Sequence, residues 1–154
     1  MKMRVTVDQV NQLTPEQRDK LRILIEPQEG NYLLHKGEEY LFVHKNRYGY
    51  FLAQNDRDMQ VQPLNKEEFG KVIVLLSTGQ CIELLHESIK GRDNNRISLW
   101  EFPSDGWNVE TLDITDSKWG DKHIWIKNKN ELIDALWEAV KSILQDNDHR
   151  KSRA

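Results

Sequence analysis

Three times in this chain a hydroxyl side chain stands three positions ahead of a glutamine where an apolar-periodic stretch begins: Thr6 with Gln9, Thr14 with Gln17, and Ser77 with Gln80. In such a capping box the hydroxyl accepts the backbone N–H of the residue three positions on, and the glutamine returns to the backbone N–H of the first. Two donors that a helix end leaves orphaned are satisfied together. The spacing therefore predicts helix starts at these points, and Asn128 with Glu131 predicts a fourth. Between them the apolar period changes to that of strands. Helices at the N-terminus, centre and C-terminus, separated by runs of strands, predict an α+β fold, a mostly antiparallel sheet packed against those three helical segments.

The first 26 residues read as two helices in series. Pro15 suits the first position of the second, Leu21, Leu24 and Ile25 supply an apolar stripe, and Pro27 stops it near Ile25. From Tyr32, "YLLH", "EYLFVHK" and "YGYFLAQ" are punctuated by Lys36-Gly37 and Asn46-Arg47, the pattern of an antiparallel meander. The polar stretch Asn55 to Gly70 predicts a long surface connection, and Val72 to Leu76 an extended segment. Cys81, Leu84, Leu85, Ser88 and Ile89 line one side of the central helix, which Gly91 is placed to close.

"RISLWEF" and "WNVETLDI" flank Pro103-Ser104-Asp105-Gly106, so they predict a hairpin. Its apolar phase slips along each strand, which requires a bulge in each or cover on both faces, one by a helix. "KHIWIK" is the last strand. In the closing helix Leu132, Leu136, Ala139 and Ile143 form one apolar row and Ile133, Trp137, Val140 and Leu144 the next. That arc is wide enough for a groove between a sheet and another helix. Residues 146–154 read as a flexible tail.

A chain of 154 residues fits one domain spanning 1–154 and needs neither metal nor disulfide for stability. Charged residues make up 31%, but the two signs nearly balance at a net charge of −3, so no strong field marks a nucleic-acid binder. The single cysteine, Cys81, excludes an internal disulfide and reads as a small buried hydrophobe. No signal-peptide pattern or spanning run is present, and the expected location is the cytoplasm.

Catalytic motifs are missing. Gly70, Gly79 and Gly91 do not have phosphate-loop spacing, and no serine sits between glycines as in a nucleophile elbow. His35, His44, His86, His123 and His149 are scattered. His35 and His44, near the ends of adjacent strands, read as a pair of partly exposed sheet histidines. Asp56 and Asp58 make a D-x-D that reads as polar loop. No cofactor or metal is expected. All five tryptophans fall between Trp100 and Trp137. Trp137 and Trp125 read as core, whereas Trp107, directly after the turn, and Trp119, in a polar loop, are candidates for contact.

"LTPEQRDKL", "PQEG" at Pro27 to Gly30, "LLSTGQCIELL" at Leu75 to Leu85 and "DALWEAVKSIL" at Asp134 to Leu144 together resemble a loose group of small prophage-encoded proteins of Gram-positive bacteria. The resemblance implies a phage or prophage accessory protein and carries no active-site residues with it. The expected function is non-enzymatic binding of a host or phage protein, with Trp107, Trp119 and Lys122 as contact residues. The alternative is a nucleic-acid-binding accessory factor using exposed aromatics, Lys122, Lys127, Lys129 and the basic "HRKSRA" end. A small-molecule or metal-binding protein is the third reading.

Overall fold

The computed structural model describes residues 2–54, 61–89, 95–113 and 121–152. The architecture is α+β, with antiparallel sheets and helices at N-terminal, central and C-terminal positions. Contacts group the chain into two compact units, Thr6–Leu76 and Met1–Val5 with Ser77–Ala154.

In the Thr6–Leu76 unit the first two helices start where their caps predict. Thr6 Oγ1 accepts from the Gln9 N–H at 3.2 Å while Gln9 Oε1 accepts from the Thr6 N–H at 2.9 Å, opening α1 (Val7–Asn11). Thr14 and Gln17 repeat this at 3.2 and 3.0 Å and open α2 (Pro15–Leu24). The predicted stripe on α2 is only partly used. Leu21 is buried, but Leu24 is 42% exposed. A reason is the partner: α2 packs on β5 (Ile73–Val74), a strand of two residues, which can cover about one turn of helix.

The meander is present as β1 (Tyr32–His35), β2 (Glu38–Asn46) and β3 (Gly49–Gln54), in a five-stranded sheet of order β4-β3-β2-β1-β5. The β1–β2 turn pairs His35 with Glu38 and places Lys36 and Gly37 at φ 50° and 80°. One register shift, between Phe42 and His44, leaves Val43 as the extra residue of β2. Part of the stretch read as surface connection is regular structure: β4 (Val61–Leu64) on the sheet edge, then α3 (Lys66–Phe69), capped by Asn65 Oδ1 accepting from the Glu68 N–H at 2.8 Å. Pro63 is compatible with β4 because an edge strand leaves every second N–H without a ladder partner. On one sheet face Leu33, Phe42, Leu52, Leu64 and Val74 are buried. Phe69 of α3 closes an aromatic cluster there, stacked on Tyr50 at 3.9 Å and 4.9 Å from Phe42.

In the other unit Arg4 bridges Ser77, and the Thr78 N–H donates to Met3 O at 3.3 Å. Ser77 and Gln80 form the third box, at 3.2 and 2.9 Å, and open α4 (Thr78–Ile89). The tryptophan hairpin is β6 (Asn95–Phe102) and β7 (Gly106–Asp113), continued by β8 (Asp121–Lys129) in a three-stranded sheet with β7 central. At the turn Gly106 has φ 90°, and a Cβ there would collide with the Lys129 carbonyl oxygen. No side chain fits.

The apolar phase slip along β6 and β7 has its cause in cover on both faces. β6 and β7 stay in step from Asn95↔Asp113 to Phe102↔Gly106, so the hairpin carries no bulge between its strands. Both register shifts lie between β7 and β8, and each adds a residue to β8. Helices cover the sheet, α4 on β6 and α5 (Leu132–Ser152) on β7 and β8. Asn108, Val109, Glu110 and Thr111 are buried in succession, as a strand covered on both faces requires. Helix α5 also packs on α4, the groove its wide apolar arc predicted, and buries Ile133, Leu136, Trp137, Val140 and Leu144.

Two expectations at the ends of α5 change. Asn128 belongs to β8, so it does not cap the helix; the first turn instead closes on the Glu131 carbonyl, which accepts from the Ala135 N–H at 3.2 Å. Pairing in the sheet carries the strand to Lys129 and delays the helix. At the other end the helical backbone continues through 146–152, read from sequence as tail, where neither glycine nor proline interrupts it.

Candidate functional site

A polar cluster lies beside the β1–β2 turn. Glu38 and Tyr40, two apart on β2, share a face, and Gln54 of β3 stands opposite Tyr40. The Tyr40 hydroxyl donates to Glu38 Oε2 at 3.2 Å, and Gln54 Nε2 donates to the same oxygen at 2.6 Å. Burial, then the hydrogen bond and the negative charge of Glu38, raises the Tyr40 pKa above its usual 10.0. The His35 ring meets Tyr40 edge-on, 5.8 Å between centroids and 63° between planes. Burial and the nearby Lys36 lower the His35 pKa below 6.5, against a weaker pull from Glu68, so the imidazole is neutral at pH 7.

This arrangement interlocks strands. The carboxylate that would act as a base is engaged by a hydroxyl and a carboxamide, and the phenol is held in its protonated form. Cys81, fully buried on α4, has its thiol pushed up to about 12 by burial and is not a thiolate at neutral pH. Among the described residues no three His, Cys, Asp or Glu side chains gather as metal ligands.

His35 and His44 do not form the exposed pair their strand positions suggested. His35 is buried opposite Glu38, while His44 lies six residues along β2, about 20 Å away. There it is exposed, with Nδ1 3.2 Å from Glu29 Oε1. The distance follows from antiparallel geometry, since β1 is short and ends where β2 begins.

Among the described residues of the Thr6–Leu76 unit, the large apolar side chains that are exposed lie in two places. One is the β2–β3 hairpin tip, where Val43 is 44% and Tyr48 72% exposed. Arg47 lies over the Tyr48 ring at 4.8 Å and donates to its hydroxyl at 2.8 Å, and Lys45 Nζ is 5.3 Å from the Tyr50 centroid. Every residue from Val43 to Tyr48 is exposed. The other is the end of α2, where Ile23 is 84% exposed beside Leu24. Glu16 and Asp19 share the Ile23 face at helical spacing, and Glu26 follows it; all three are exposed.

Trp107 is half-buried in β7, opposite Glu101 on one side and Lys129 on the other. Trp119 lies outside the described residues, as do Gly91, Asp56 and Asp58. The backbone of Lys122 is in β8 opposite Leu112, and Lys127 further along that strand is exposed. Trp137 is core, as expected. The hairpin tip and the α2 end did not enter the sequence reading, although signals for both exist. Tyr48 directly follows the predicted Asn46-Arg47 turn, where side chains meet solvent, and Ile23 falls outside the Leu21–Leu24–Ile25 stripe.

No family model matches the chain, and comparison with curated proteins and with solved structures finds no match.

Proposed function

We propose that this chain is a non-enzymatic accessory protein of a phage or prophage that acts by binding another protein. The observation that carries the reading is the contrast between buried chemistry and exposed contact residues. His35, Tyr40 and Cys81 are buried, whereas Tyr48, Val43, Ile23 and Leu24 stand in solvent beside charged side chains. Tyrosine and arginine are, with tryptophan, the residue types that most often dominate protein interfaces, and Arg47 and Tyr48 supply two of them at one tip. The resemblance to prophage-encoded proteins supplies the context. No helix among the described residues is long and apolar enough to cross a membrane, so no membrane partner is invoked.

The test is capture of a binding partner from bacterial lysate by wild-type protein and by Tyr48→Ala, Ile23→Ser and Trp107→Ala variants with unchanged melting temperatures. Loss of a stoichiometric partner with Tyr48→Ala or Ile23→Ser supports the reading. Capture that only Trp107→Ala weakens moves the contact to the tryptophan hairpin, and no stoichiometric protein at any salt concentration refutes it. Nucleic acid is the second reading, favoured by the exposed ring of Tyr48 with the Arg47 guanidinium over it. Retention of nucleic acid at low salt that falls steeply as salt rises would establish it.

A further inference from the structure

A strand at the edge of a sheet presents a row of unpaired N–H and C=O groups, and folded proteins guard such edges with short strands, proline, bulges or charge. The two described sheets have four edges, β4 and β5 in one, β6 and β8 in the other. Three are guarded. β5 has two residues, β4 has four and includes Pro63, and β8 carries an extra residue at each of two register shifts along with Lys122, Lys127 and Lys129. β6 is the exception. Its eight residues, Asn95–Phe102, contain neither proline nor glycine and pair with β7 without a register shift. Among the described residues no further strand or backbone hydrogen bond engages its outer side. The cover of the sheet also stops short there. Ile97 and Leu99 share a face with their β7 partners Thr111 and Val109, which are fully buried, yet Leu99 is 36% exposed and Ile97 half-buried.

We infer that β6 is a self-association edge, pairing antiparallel with β6 of a second copy and joining two three-stranded sheets into one of six strands. An extended strand is what completes such a ladder, and the residues of β6 select their own. A two-fold axis normal to the sheet keeps each face continuous, so opposed residues come from the same face and the axis passes beside one residue paired with its own copy. An axis at Ser98 sets Ile97 against Leu99 twice, so the apolar face left open at each edge is closed by the other copy. The outer pairs, Arg96 with Trp100 and Asn95 with Glu101, oppose no like charges. Moving the axis to Leu99 would set Ile97 against Glu101, and moving it to Ile97 would set Leu99 against Asn95. The contact is isologous, so it closes at two copies. It uses none of Tyr48, Val43, Ile23 and Leu24, and so stands or falls apart from the proposed function.

Sedimentation equilibrium of the full chain tests this, across about a hundredfold concentration range reaching the millimolar regime. The average mass is expected to rise from one chain toward two and no further. Leu99→Lys places two like charges diagonally across the new pair and should weaken association by about tenfold or more, whereas Tyr48→Ala should leave it unchanged. Register is read by a short bis-maleimide linker. Ser98→Cys lies beside its own copy and should cross-link, while Glu101→Cys, whose copy lies six residues or about 20 Å along the strand, should not. Cys81 is fully buried and does not compete. Far-UV circular dichroism and an unchanged melting temperature establish that each variant is folded. A mass of one chain throughout, growth past two chains, wild-type association of Leu99→Lys, or Ser98→Cys cross-linking no faster than Glu101→Cys overturns the inference. A single-chain mass with a foreign protein that wild type captures and Leu99→Lys does not also overturns it, while leaving the proposed function intact.

Discussion

The two units differ in where polar side-chain atoms find partners: at the exposed Glu38 carboxylate in one, and nowhere for two buried atoms of the other. In Thr6–Leu76 the Tyr40 hydroxyl and the Gln54 carboxamide converge on one carboxylate oxygen of Glu38. In the unit built from Ser77 onward, Thr111 Oγ1 and Trp137 Nε1 are buried with no hydrogen-bond partner. The first unit places its polar groups near a turn, where strand pairing brings complementary side chains face to face. In the second they sit on β7 and α5, elements that pack on each other and whose shape is set by apolar filling. Magnitudes explain why that is tolerable. An unpaired buried donor costs about 1–3 kcal/mol, while truncating a buried tryptophan to alanine costs about 3–5 kcal/mol, so the ring stays despite its orphaned N–H.

The largest effect expected from this contrast is at Trp137. Trp137→Ala should lower unfolding free energy in denaturant titrations by about 3–5 kcal/mol, and Trp137→Phe by much less, because phenylalanine keeps most of the volume and removes the unpaired donor. Equal losses would mean that the N–H contributes after all.

Next come two glycines that separate dihedral cost from collision. Gly37 has φ 80°, and a Cβ added there would meet nothing within 4 Å, so Gly37→Ala should cost about 1–2 kcal/mol. Gly106 has a similar φ but faces the Lys129 carbonyl, so Gly106→Ala should cost clearly more, about 3 kcal/mol or above. Similar values for both would show that β8 yields to the added carbon.

A smaller pair should differ in sign. Tyr40→Phe removes a hydroxyl from the Glu38 bond and should destabilise by about 1 kcal/mol. Thr111→Val removes an unpartnered hydroxyl and should be neutral or stabilising by up to about 1 kcal/mol. A loss with Thr111→Val comparable to that with Tyr40→Phe would erase the contrast between the units.

The last expectation is one of direction. His35 binds its proton less readily in the fold than in the unfolded chain, so stability is intact above pH 6.5 and declines as the pH falls below it. His35→Gln should flatten that acid limb. Tyr40 and Cys81 are raised, so they contribute an opposite limb, stability lost as pH rises beyond 10 for the phenol and from 9 toward about 12 for the thiol. Melting temperature against pH reads both limbs.

The three Thr/Ser-x-x-Gln boxes were legible because each is a code of four residues whose bonds close within the helix turn they start. The Pro103–Gly106 turn and the buried thiol of Cys81 were legible for similar reasons, one local and one set by residue type. The Asn128–Glu131 pair has the same spacing yet fails, because Asn128 lies inside β8, whose pairing with β7 runs on to Lys129 before the helix can begin. His35 shows the same limit: its strand was predicted, but its burial depends on Tyr40 and on the depth of the sheet around it.

The starts of α1, α2 and α4 therefore follow from the chain read on its own, since their capping bonds join residues three apart. Other features were decided only in the folded molecule: the two extra residues of β8, the orphaned N–H of Trp137 and the exposure of Ile23. Each depends on which surfaces meet across long sequence separations, and packing, with several kcal/mol at stake, outweighs the smaller local preferences that a sequence displays.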